Sequence, residues 1–203
     1  MASANDDIIG HLLDQAEQMK LDARHAEALV ILEEIVVKDP NNIVALEEIA
    51  DNELSLEHYD RAEVAAKRAR ALDSGSFDAH YVLGFVASVR EQWDASVNSL
   101  KIANRLEPNN PEILRCLGWS LFSAGHTVEG VVTLERALNL EDTNPLILCD
   151  LGVVYLKMKE FPKARALLER ALEIDPLNVR VKECLEMATR ISDRGKGNIE
   201  NIA

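Results

Sequence analysis

Apolar residues recur along this chain at helical spacing. Leu148, Leu151, Gly152 and Tyr155 fall at i, i+3, i+4 and i+7, which places them on one face of a helix. Ala164, Leu168 and Ala171 mark the inner face of a second helix shortly afterwards. Pro176 then closes the segment, because proline has no N–H to donate and clashes with the preceding turn. This helix–helix unit repeats. Leu83-Gly84, Leu117-Gly118 and Leu151-Gly152 are spaced by 34 residues, and the same frame carried backward reaches Ala50 and Ala16. A second small residue lies 12 positions further on in each unit: Ala28, Ala62, Ser96, Gly130 and Ala164. Small side chains at paired positions let the two helices of a unit approach closely.

The frame predicts an all-α chain of five repeats, 9–42, 43–76, 77–110, 111–144 and 145–178, each a pair of helices. Asn42, Ser76, Asn110, Asn144 and Asn178 occupy one equivalent site just before each following helix. All are residue types whose side chain accepts hydrogen bonds from unpaired N–H groups of a first turn. Pro111 and Pro145 come next, at a position where the missing donor costs nothing. Residues 179–192 read as a capping helix, with Val181, Leu185, Ala188 and Ile191 on one side and Lys182, Glu183, Glu186 and Arg190 on the other. Residues 6–192 are thus expected to form one domain, with 1–5 and 193–203 as flexible tails.

The pattern Leu148, Leu151-Gly152, Tyr155, Phe161, Ala164, Leu168, Ala171, Pro176 resembles the tetratricopeptide repeat family, and the resemblance extends over residues 9–178. Repeat 77–110 keeps Leu83-Gly84, Trp93, Ala103 and Pro108, and repeat 43–76 keeps Ala50, Tyr59, Ala62 and Ala69. Glu53 and Ala87 stand where an aromatic is expected, and His25 and Thr127 stand where a large residue usually opens the second helix. The resemblance implies a right-handed α-α superhelix whose first helices line a concave groove. It also implies a protein–protein interaction module, an adaptor, chaperone or assembly scaffold rather than an enzyme, that captures a peptide or helix of another protein. The alternative is a self-associating homo-oligomeric scaffold for a bacterial assembly or an organelle such as a magnetosome.

The groove-facing sites implied by the resemblance are Glu47, Glu48 and Asp51 in the second repeat, and Tyr81, Val82 and Phe85 in the third. Arg115, Trp119 and Phe122 follow in the fourth, and Val153 and Leu156 in the fifth. The groove is therefore acidic toward the N-terminus and apolar and aromatic beyond it. It suits a partner with apolar anchors and basic residues. Family members that hold a chaperone's C-terminal carboxylate use a clamp of Lys, Asn and Arg. The Asn-type site reads Glu17, Asp51, Phe85, Trp119 and Val153 here, so a carboxylate clamp is not expected.

Charge sharpens this picture. The 203 residues carry 22 Lys and Arg against 35 Asp and Glu, a net charge of −13. Residues 1–76 account for −10 of it, with 7 basic and 17 acidic side chains. Nucleic-acid binding needs a basic stripe, and the acidic balance argues against it. No apolar run approaches the length that spans a bilayer, so direct membrane insertion is not expected. Three cysteines form an odd set without disulfide-framework spacing, which points to a reducing, cytoplasmic setting. Cys116, Cys149 and Cys184 sit at nearly equivalent places in consecutive units; they read as packing or groove lining rather than a soft-metal site. The five histidines are scattered, Gly195-Lys196-Gly197 lacks the spacing of a phosphate-binding loop, and no cofactor is expected.

Overall fold

The computed structural model describes residues 4–200, with the side chains of 4–6, 180 and 191–200 outside the description. Eleven helices and no strands occur among the described residues. The chain divides after Pro108 into two compact units.

The first unit holds three helical hairpins: α1 (Ala4–Leu21) with α2 (His25–Lys38), α3 (Ile43–Ser55) with α4 (Tyr59–Leu72), and α5 (Phe77–Val89) with α6 (Trp93–Leu106). The caps are as the spacing predicts. Asn42 accepts from the Ala45 N–H and Ser76 Oγ from the Ala79 N–H, both at 3.0 Å. The small residues sit where helices cross. Ala16, Ala28, Ala50 and Ala62 are buried, and a Cβ built on Gly84 would lie 2.6 Å from the Leu100 side chain. Ser96 Oγ donates to the Gly84 carbonyl at 2.7 Å, so this crossing is pinned by a hydrogen bond as well as by shape. Neighbouring hairpins stack α2 on α3, α4 on α5 and α3 on α5. Leu46, Ala50, Ala66 and Val82 fill the space between α3, α4 and α5.

The second unit holds α7 (Pro111–Ser123) with α8 (Thr127–Leu140), α9 (Pro145–Lys157) with α10 (Phe161–Ile174), and α11 (Val179–Glu200). Asn110 and Asn144 each accept from two N–H groups of the following turn, at 2.9–3.3 Å, with proline at the next position. Asn178 accepts from the Val181 N–H at 3.1 Å. At the α7–α8 crossing the close approach is to backbone. A Cβ on Gly130 would meet the Phe122 backbone N at 2.7 Å and the Gly118 carbonyl oxygen at 2.8 Å. The cap helix α11 buries Val181 and Ala188 against the α9–α10 core, with Cys184 and Leu185 half-buried beside them. The side chain of Ile191, the remaining apolar residue expected on that side, lies outside the described residues.

Two features differ from the sequence reading. Helix α11 continues through residues 193–200, a stretch whose composition reads as a tail. No proline follows Pro176, and once a helix is nucleated each added residue gains a hydrogen bond that offsets the roughly 1 kcal/mol cost of a glycine. Residues 4 and 5, also expected in a tail, begin α1, and residues 1–3 and 201–203 lie outside the described residues. The second difference is in the turns. Ala23, Glu57, Glu91, Gly125 and Lys159 all have positive φ, between 57° and 91°, and share the 34-residue period. In each turn the next N–H reaches back to the carbonyl five residues earlier, as from Gln92 to Ala87 at 2.9 Å and from His126 to Leu121 at 2.9 Å. This is the Schellman closure of a helix, with four of its left-handed positions filled by residues other than glycine.

Candidate functional site

On the first helices of the hairpins in the first unit, acidic and aromatic side chains share a face. Glu47, Glu48 and Asp51 of α3 are partly buried, as is Asp78 in the first turn of α5. Lys20, from the end of α1, reaches across to this group. Its Nζ lies 2.6 Å from Glu48 Oε2 and 3.3 Å from Asp51 Oδ2. Burial works against the ammonium, but the hydrogen bond to Glu48 and the charges of Glu48 and Asp51 outweigh it and raise the Lys20 pKa. One cation thus faces four carboxylates. Asp78 shows the imbalance: burial first, then the charges of Glu47, Asp51 and Glu48, push its carboxyl up to about 6, with Lys20 opposing.

One turn and two turns along α5 from Asp78 stand Tyr81 and Phe85, both half-buried. Their ring centroids are 6.2 Å apart and tilted at 54°. Each ring leans on the α3–α4–α5 core with part of its surface and leaves the rest open. The face can hold an apolar side chain beside a cation, through ring contact and charge pairing. Val82, expected in this group, is only 2% exposed. Helix α5 packs against α3, α4 and α6, so most of its circumference is apolar core and Val82 offers no surface to a partner.

In the second unit, Trp119 and Phe122 of α7 and Val153 of α9 are partly buried against the α8–α9–α10–α11 core. Leu156, also expected on this face, is 9% exposed and belongs to that core. The Lys157 ammonium lies 5.0 Å from the Trp119 ring centroid and 5.9 Å from that of Phe122. Sequence reasoning missed Lys157, because a lysine in the last turn of a helix reads as a simple complement to the helix dipole. Arg115 is not a free groove cation. Its guanidinium pairs with Glu112 and Asp150, each at 2.6 Å, tying α7 to α9. Burial opposes that charge, and the Glu112 hydrogen bond and surrounding negative groups overcome it, holding the pKa above the ordinary arginine range.

Cys116 and Cys149 are buried and Cys184 is half-buried. Burial pushes the Cys116 thiol well above its usual range, which keeps it protonated and poorly nucleophilic near neutral pH. Among the described residues no group of three or more His, Cys, Asp or Glu side chains is placed to hold a metal ion. No described helix is long and apolar enough to cross a membrane. Glu53, in the place of an aromatic, is fully buried. Its carboxylate pairs with Arg61 at 2.7 Å and His58 Nδ1 at 2.8 Å, so it acts as a strut between α3 and α4.

Comparison with known proteins fits this architecture. The tetratricopeptide repeat family model matches residues 121–185. No curated protein matches the chain significantly. Among solved structures, a thermophilic tetratricopeptide repeat protein of Thermus thermophilus is 23% identical, with 89% of this chain and 98% of that chain covered at a TM-score of 0.73. PilF of Pseudomonas aeruginosa is 17% identical over 95% of this chain and 88% of that chain, with a TM-score of 0.75. YrrB, reported as a tetratricopeptide repeat protein with an unusual peptide-binding site, is 19% identical over 92% of this chain and 100% of that chain, with a TM-score of 0.64. The chain has the all-α tetratricopeptide repeat solenoid fold.

Proposed function

We propose that this chain is an interaction module that holds a peptide or amphipathic helix of another protein against the first helices of its hairpins. The observation that carries this reading is the acidic–aromatic face of the first unit. Three carboxylates of α3 and one of α5 outnumber Lys20, and Tyr81 and Phe85 stand half-exposed beside them. Such a face favours a segment with basic residues next to an apolar anchor. Rings supply contact area at little cost in side-chain freedom, and carboxylates orient the segment and speed its encounter. The peptide-binding site reported for YrrB is consistent with this use of the fold. In the second unit, Trp119 and Phe122 offer a further apolar platform, and the overlying Lys157 would swing aside or pair with an acidic residue of the segment.

The test is capture of partners from a native lysate on the immobilised chain, comparing wild type with Phe85→Asp and Trp119→Asp. Both replace half-buried rings rather than core residues, so helicity by circular dichroism is expected to survive. The reading expects retained proteins to be lost with Phe85→Asp. Retention unchanged in both variants would contradict it. Light scattering across a concentration series separates capture of another protein from self-association, which would appear as growth in mass.

A further inference from the structure

We propose that the first unit carries a second docking surface, on the side of α3 turned away from the acidic–aromatic face. Its occupant is an amphipathic helix of a partner protein that presents an apolar side chain with a carboxylate two turns or less away. A cleft of about 560 Å³ opens here between α2 and α4. Ile49 and Glu53 of α3 form part of its floor, and they sit on the opposite side of that helix from Glu47, Glu48 and Asp51. Its walls are Val37 of α2 and Val64 of α4, which are 81% and 61% exposed. Two valines left open on facing helices, above a floor of Leu46, Ile49 and Ala65 with the Arg61-paired Glu53 beside them, form a groove of the kind that receives a helix ridge.

Charge identifies the occupant. At one end of the cleft every acid is matched: Arg61 pairs with Glu33 at 2.6 Å and with Glu53 at 2.7 Å, and Arg90 pairs with Asp60 at 2.5 Å. Arg68 stands seven residues along α4 from Arg61, about 10 Å away by the rise of a helix. Its Nη2 donates to the Pro40 carbonyl at 3.0 Å, and no carboxylate among the described residues lies in ion-pair range. The carbonyl fixes one side of the guanidinium and leaves its remaining donors for a ligand, since arginine has five. A helix seated on Val37 and Val64 with Asp or Glu at the Arg68 end completes that pairing, whereas a basic residue there is repelled.

A displayed library of amphipathic helical peptides, selected on the full chain, tests this. Selected sequences should combine an apolar anchor with an acidic residue. By fluorescence anisotropy, Val64→Asp should weaken the best of them about tenfold, and Arg68→Glu at least fivefold. Changing the peptide's acid to Lys should restore binding to Arg68→Glu, while Phe85→Asp leaves binding unaltered; that last result separates this surface from the acidic–aromatic face. Failure to select any peptide, or binding that survives Val64→Asp and Arg68→Glu, overturns the proposal. Binding lost with Phe85→Asp overturns it as well. Self-association abolished by Val64→Asp would make a second copy the occupant and overturn the assignment to a partner helix.

Discussion

Gly130 and Asp78 show how far single residues decide the behaviour of this chain. A methyl group at Gly130 has backbone on two sides, at 2.7 and 2.8 Å, and backbone does not yield as a side-chain tip does. Gly130→Ala should therefore cost about 1–3 kcal/mol in chemical denaturation, the range of an overpacked core. Gly10→Ala, where nothing lies within 4 Å, should be neutral or stabilising and serves as the control. Asp78 brings a pH dependence. Its folded-state pKa, about 6, lies above the ordinary value of 3.8. The stability it contributes is complete below the ordinary value and is lost as pH rises through 6. Asp78→Asn should raise stability at pH 7.5, by about 1 kcal/mol after allowance for solvent screening, and flatten the decline between pH 4 and 7. A basic partner favours the ionised form, so its affinity should be higher at pH 7.5 than at pH 5; wild type and Asp78→Asn responding alike would remove Asp78 from the site.

At the scale of the helix and the turn, the caps were legible because each uses a residue type with a specific job. Asn144 accepts two N–H groups of α9, and Asn144→Ala should cost about 1 kcal/mol, read from the thermal midpoint. The turns were not legible. Only Gly125 advertises a left-handed position, whereas Ala23, Glu57, Glu91 and Lys159 adopt it because stacked helices on both sides leave no other path. Glu91→Gly should raise the thermal midpoint by relieving that strain, and a fall would show that the Glu91 side chain contributes more than its backbone costs. The extent of α11 was also hidden. A polar, glycine-containing segment reads as a tail, and only its continuation from a docked helix makes it helical.

For the molecule as a whole, a period of small residues and caps was enough to specify helical hairpins, because a hairpin that buries one face must stack to bury the other. The candidate site was legible only in part. Glu47, Glu48, Asp51, Tyr81, Phe85, Trp119, Phe122 and Val153 were expected on the groove face from the register of the family resemblance, and each keeps some surface open. Val82 and Leu156 share that register but are claimed by packing, and Arg115 is claimed by Asp150 and Glu112. Register tells which way a Cα–Cβ bond points. It does not tell what a neighbouring helix places on top, as with Lys157 over Trp119. The most direct measurement is photo-crosslinking with benzoylphenylalanine in place of Tyr81, Phe85 or Trp119, compared with the same probe in place of Glu57 or Lys159 in the turns. Crosslinks to a captured protein from Phe85 and Tyr81, and none from the turns, are the result expected here. Crosslinks from the turns alone would contradict the account.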